Sequence, residues 1–318
     1  MKKQSPFLAV AFFFLSALLL ASPLFAQDSQ TSSPGLVQVT VTATMKKSGE
    51  VPPVLQKQDV SVHEDGKRTP IVDWVPVNTP DSKLQLVILI DQDASTRLGA
   101  HFDEISQFVR ALPTNSTVAV AYAQNGSALM RTNFTPDREA AINSLHMTLG
   151  AAAGMTSVYE ALADLIKHWP AGVPRREVLL LSDGIDPTYG FHDTAPGENP
   201  ALQQATQAAQ HANVTVFSIF AGTSGPEARS GVLNLNGQGS LNQLAADTGG
   251  YAFFQGNGTP ISFQPFLRDF TAMLGQQYLL TFRAAPVKKS AYRELKVSTE
   301  VPHVKLLAPA QVYLPAAH

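Results

Sequence analysis

The sequence predicts an α/β fold: a doubly wound, mostly parallel sheet with helices on both faces, joined to a small β-domain built from the flanking N- and C-terminal segments. Two observations predict the α/β part. Leu84–Ile90, Val178–Leu181 and Val214–Phe220 are nearly continuous apolar runs, as strands buried on both faces require. Segments of helical periodicity separate them, and such alternation argues a parallel sheet. A third observation predicts the β part: the segments before Lys83 and after Gln277 read as strands with no helix between them.

In chain order, Met1–Ala26 has a basic start, an apolar stretch from Phe7 to Leu20 and a small-residue processing site ending at Ala26. It reads as a secretory signal peptide, too short in its apolar part for a comfortable membrane span. This places the mature chain in the periplasm or outside the cell, with no integral span after cleavage. Residues 27–35 read as a flexible leader. Leu36–Thr44 alternates as a half-buried strand, and Val60–Glu64 is a second. Asp65-Gly66 forms a turn, followed by an extended Pro70–Val77. Residues 36–80 are too few for a core of their own.

The α/β unit is expected over residues 81–275. Phe102, Ile105, Phe108, Val109 and Leu112 recur at helical spacing. Thr117–Tyr122 and Ala128–Arg131 form a hairpin about Asn125-Gly126. A helix is expected from Pro136 to about Met147. Ser157 and Glu160 have capping-box spacing and open a helix reaching Trp169. Helices are also expected over Pro200–Ala212, Ser240–Thr248 and Ile261–Leu274, with a short strand at Ala252–Phe254. The Gly-, Ser- and Asn-rich stretch Gly222–Gly239 is expected to project as a loop. Residues 276–315 return to strands, at Gln277–Phe282, Arg293–Ser298 and Gln311–Leu314. Joining the early strands, they would complete one small β-domain into which the α/β unit is inserted; the alternative is two separate small sheets.

Composition narrows function. The formal charge of −2 becomes −4 once Lys2 and Lys3 leave with the signal peptide, which argues against a nucleic-acid binder. The chain has no cysteine, so disulfides and thiolate ligands do not enter. No glycine-rich phosphate loop follows a buried strand, which argues against nucleotides. The histidines match no common zinc spacing.

Oxygen-bearing side chains cluster instead. Asp91-Gln92-Asp93-Ala94-Ser95 follows the first buried strand, Thr156 precedes the Ser157 helix, and Ser182-Asp183-Gly184-Ile185-Asp186 follows the second buried strand. In an open α/β sheet, ligands bind beyond the carboxyl ends of the strands where strand order reverses. Asp91, Asp93, Ser95, Thr156 and Asp183 therefore form a candidate all-oxygen shell, a composition suited to a hard cation. Asp186 is read as holding the loop or orienting a bound water.

On these residues the chain resembles the von Willebrand factor type A (VWA) domain, and more closely the secreted VWA-related proteins of Acidobacteria. Glu64-Asp65-Gly66-Lys67 and the strands from Tyr278 to Val312 are similar to that group's lead-in and closing strands. The resemblance implies a metal-ion-dependent adhesion site. Its roles fall on Asp91, Asp93 in place of the family's first Ser, Ser95, Thr156 and Asp183. The implied cation is magnesium first, with calcium or manganese as alternatives. The implied function is a secreted or periplasmic binding or adhesion module that engages a protein partner through its Asp or Glu, without catalysis. Three carboxylates around one dication would leave excess negative charge, which favours calcium's looser shell. Asp93 and Met155 equally suit an alternative, a metal-independent structural or assembly module with a degenerate site.

Overall fold

The computed structural model describes residues 35–47, 49–77, 79, 82–92, 98–146, 157–170, 172–173, 175–186, 188, 195–222, 230–256 and 258–316. The signal-peptide reading of residues 1–26 lies outside them. Among the described residues no helix is long and apolar enough to cross a membrane.

Four strands open this part of the chain: β1 (Leu36–Met45), β2 (Val60–Glu64), β3 (Lys67–Thr69) and β4 (Ile71–Pro76). The α/β unit follows, with β5 (Leu84–Asp91), α1 (Phe102–Ala111), β6 (Ser116–Gln124), β7 (Ser127–Thr135), α2 (Arg138–Ile142), α3 (Val158–Lys167) and β8 (Arg175–Ser182). It continues through α4 (Pro200–Ala212), β9 (Val214–Phe220), α5 (Gly231–Asp247), β10 (Ala252–Phe253) and α6 (Gln264–Gly275). The last strands are β11 (Gln277–Arg283), β12 (Ala291–Thr299), β13 (Val304–Leu307) and β14 (Gln311–Leu314).

The central sheet has the order β10-β9-β8-β5-β6-β7, all parallel except β7. Strand order reverses at β5, which pairs with β6 on one side and β8 on the other. That is the doubly wound, Rossmann-like arrangement expected, consistent with a VWA-type topology. Leu86–Ile90 of β5 are at most 1% exposed, each contributing about 1.5–3 kcal/mol by burial. One face packs on α1 and α6 through Ile105, Phe108, Leu267 and Phe270. The other packs on α3, α4 and α5 through Leu162, Leu202 and Leu241.

The early and late strands do pair. β13-β1-β11-β4 forms one antiparallel sheet and β14-β12-β2-β3 another. Val39, Val41, Leu280 and Phe282 of the first share one core cluster with Val60, Val62, Leu295 and Val312 of the second. Trp74 stacks on Tyr278 at 4.4 Å and donates Nε1–H to the Leu55 carbonyl.

Several elements differ from the sequence reading. α2 stops at Ile142 rather than near Met147, because the Tyr122 hydroxyl accepts the His146 N–H at 2.8 Å and donates to its carbonyl at 2.6 Å, drawing the chain out of the helix. The short strands β3 and β13 were not foreseen, being only three and four residues long. Most consequentially, residues 231–239 are the first half of α5 rather than a projecting loop. Ser230 caps them by accepting the Leu233 N–H.

Helix α6 is capped from a distance. Its N-cap side chain, Phe263, offers no hydrogen bond. Glu104 of α1 instead accepts the Phe263 N–H at 2.5 Å and the Ser262 hydroxyl at 2.7 Å. Burial pushes the Glu104 carboxyl up, but the bonds from Ser262, Phe263 and His101 outweigh it and leave its pKa below the ordinary 4.5. A lowered folded pKa contributes stability that is complete above about pH 4.5 and is lost as pH falls through the folded value. Glu104→Ala should cost about 1 kcal/mol, as other cap deletions do. Glu104→Gln should flatten the acid limb of the stability profile, read by circular dichroism between pH 3 and 6.

Candidate functional site

Strands β5 and β8 lie side by side in parallel, with Ile90 opposite Leu181. Their carboxyl ends are level, and this brings Asp91 to Ser182. The Ser182 hydroxyl donates to Asp91 Oδ2 at 2.5 Å and accepts the Gly184 N–H at 2.9 Å. Asp183 turns back on its own loop, its Oδ1 accepting the Ile185 N–H at 2.9 Å. Asp186 Oδ2 accepts the Ser157 hydroxyl at 2.6 Å and the Asn199 amide at 3.2 Å, while Oδ1 accepts the Thr188 N–H at 3.1 Å. Ser157 also caps α3 through the Glu160 N–H. Asp186 thus ties the starts of α3 and α4 to the β8 loop, the loop-holding role read for it in the sequence.

These side chains are buried: Asp91 is 5% exposed, Asp183 7% and Asp186 1%. Tyr159, fully buried, donates its hydroxyl to the Gly184 carbonyl at 2.8 Å. Burial pushes its phenol well above the ordinary range, and the negative charges of Asp186, Asp183 and Asp91 add to the shift.

What buries the loop is α5. A Cβ on Gly237 would stand 2.1 Å from the Asp183 carbonyl oxygen, and one on Gly184 would stand 2.3 Å from the Gly237 carbonyl oxygen. Gly184 also has φ +68°, a left-handed conformation that favours glycine. Two glycines face each other, and the helix lies directly on the strand-end loop. On the β8 side of the switch point, where a doubly wound sheet offers a crevice, the first half of α5 lies on the strand-end loop.

This corrects the expected divalent cation. Among the described residues no group of three or more His, Cys, Asp or Glu is placed to hold a metal ion. The physical reason is visible at the two predicted ligands in this set. Asp91 takes the Ser182 hydroxyl and Asp183 the Ile185 N–H, and α5 lies on the Asp183 loop. Magnesium, calcium and manganese are therefore withdrawn as cofactors. Asp93, Ser95 and Thr156, the other three predicted ligands, lie outside the described residues. Two serine–carboxylate pairs are present, Ser182–Asp91 and Ser157–Asp186, but among the described residues no imidazole joins either, as a serine nucleophile would need.

Comparison with known proteins gives likeness of fold only. No protein-family model and no curated protein matches the chain. Among solved structures, an aerotolerance-related membrane protein from Bacteroides fragilis is similar at 15% identity, with 61% of this chain and 98% of that chain covered and a TM-score of 0.41. The N-terminal domain of TFIIH p34 is similar at 17% identity, with 62% and 100% covered and a TM-score of 0.40. The VWA domain of SpRpn10 is similar at 14% identity, with 58% and 94% covered and a TM-score of 0.38. These matches are partial and weak, and none bears on this chain's partner. The finer resemblance to Acidobacterial secreted proteins gains nothing from them.

Sequence reasoning placed Ser182 in this cluster but missed Tyr159, Asn199 and Gly237. One signal was available for Gly237. A glycine inside an apolar-periodic stretch marks close backbone approach as well as a loop, and Leu241, Leu244 and Ala245 continue its face.

Proposed function

We propose that this chain is a non-catalytic binding or assembly module that works in the periplasm or outside the cell and engages its protein partner without a divalent cation. The observation that carries the reading is the closed sheet end. Asp91, Asp183 and Asp186 are buried and hydrogen-bonded to protein donors, and α5 lies on the Asp183 loop, so their carboxylates serve the fold. The partner surface is assigned to the β-domain. Strands β3 and β4 are edges of their sheets, and an edge strand carries backbone groups open to pairing. Val72 on β4 is 41% exposed.

The test uses a partner trapped by cross-linking in the native host and then purified. Binding should persist unchanged in excess chelator and weaken about tenfold, or 1.4 kcal/mol, in Val72→Lys, which places a charge on the edge. Binding lost in chelator, or indifferent to the edge charge, contradicts the reading. The compartment rests on residues 1–26, and sequencing the exported protein from its first residue should begin at Gln27.

A further inference from the structure

A cavity of about 300 Å³ opens on the flank of the central sheet, between β7 and the last turn of α3. It is remote in role from the strand-end cluster, since neither Asp91 nor Asp183 lines it. Its walls are aromatic and soft: Phe134 and Trp169, with ring centroids 5.2 Å apart, and Met130. The Trp169 indole is fixed in place, because Nε1–H donates to Gln85 Oε1 at 2.8 Å. Its polar bond is thereby used on the sheet, and the ring is held as a wall.

Among the described residues no Lys or Arg lines the cavity, its one carboxylate is Asp164 and its one base is His168. Asp164 Oδ2 accepts the Ala128 N–H at 3.0 Å, which holds the carboxylate against β7. His168 sits at the rim with its side chain 68% exposed, its Nδ1 lying 3.3 Å from Asp164 Oδ1. The cavity also lies at the C-terminal end of α3, the end where the helix dipole is negative. A carboxylate, a helix C-terminus and two aromatic rings lining a small cavity are together the chemistry that holds an alkylammonium. The volume is at the lower end for ligand pockets, which fits one such chain and little more.

We propose that this cavity is a binding site for an alkylammonium group, with the alkyl chain against Phe134, Met130 and Trp169 and the ammonium at Asp164. The group comes either as a free small amine or as a lysine side chain presented by a protein. The site is independent of the metal-free partner surface assigned above.

The experiment is a nuclear magnetic resonance titration of the purified chain, read at the indole N–H signals. The chain has two tryptophans, Trp74 and Trp169, so Trp169→Phe assigns both resonances. n-Butylammonium should shift the Trp169 signal saturably, and n-butanol should bind at least tenfold more weakly. Asp164→Asn, whose amide oxygen still accepts the Ala128 N–H, should weaken butylammonium binding at least tenfold. Phe134→Leu should weaken it several-fold. A blocked Ala-Lys-Ala peptide that binds more tightly than butylammonium assigns a presented lysine; equal or weaker binding assigns a free amine. The proposal is overturned if no saturable shift occurs, if butanol binds as well as butylammonium, or if Asp164→Asn leaves binding unchanged.

Discussion

Arg175→Ala should lower stability by about 3–5 kcal/mol, the loss seen when one partner of a buried ion pair is removed. Arg175 is 2% exposed and Glu177 0%. Arg175 Nε–H is shared between Glu177 Oε1 at 3.0 Å and Gln277 Oε1 at 2.6 Å, and an Nη–H donates to the Leu274 carbonyl at 2.6 Å. Gln277 passes the network on, its amide donating to Thr42 Oγ1 at 3.2 Å. One guanidinium therefore joins β8, the end of α6, β11 and β1 where the α/β unit meets the β-domain. Removing it strands a buried carboxylate and two buried carbonyl oxygens. Burial already raises the Glu177 pKa, against the opposing pull of Arg175 and Gln277. A raised folded pKa gives stability that is complete below the ordinary 4.5 and is lost as pH rises through the folded value. Without Arg175 the rise should be larger, so the variant's deficit should shrink as pH is lowered toward 4.5. Urea unfolding at several pH values measures both effects. Arg110→Ala is the control: its pair with Glu139 is exposed on both sides, and its loss should change little.

Gly237→Val should cost about 1–3 kcal/mol or more, the range for overpacking. The added side chain meets the Asp183 carbonyl, which is backbone and has no rotamer to yield. Either the first half of α5 or the Asp183 loop must move. Hydrogen exchange should quicken in 231–240 and in 182–186 together, because the two segments protect each other. Gly231→Ala provides the contrast. Its added methyl meets nothing within 4 Å, and replacing glycine improves helix propensity, so stability should hold or rise slightly. Equal behaviour of the two variants would mean that α5 does not seal the loop.

The parts of the fold legible in the sequence are those fixed by local rules. Continuous apolar runs gave β5, β8 and β9 because both faces of these strands are buried. Ser157 announced α3, and Asn125-Gly126 announced the β6–β7 hairpin; both turn residues have positive φ. The joining of early to late strands was readable from their incompleteness alone. What could not be read is set by tertiary contact. Gly231, Asn234, Asn236, Gly237 and Gly239 are poor helix formers, and α5 begins there because Gly237 fits against the Asp183 loop and Ser230 caps the helix. β8 starts at Arg175 rather than Val178 because the buried network satisfies Arg175 and holds Glu177 Oε1. Asp91 and Asp183 stand at the carboxyl ends of β5 and β8, where the sequence put them. Their role was not legible, because composition shows that oxygens are present but not that hydroxyl, amide and backbone donors already engage them.

Thermal unfolding of the purified chain in excess chelator, and then in magnesium, calcium or manganese, tests the closed sheet end most directly. A cation held at a hundred times its Kd would add about 2.7 kcal/mol to the folded state and raise the Tm by several degrees. The closed site predicts the same Tm in all four conditions. A cation-specific rise of several degrees that disappears in Asp183→Asn would contradict it.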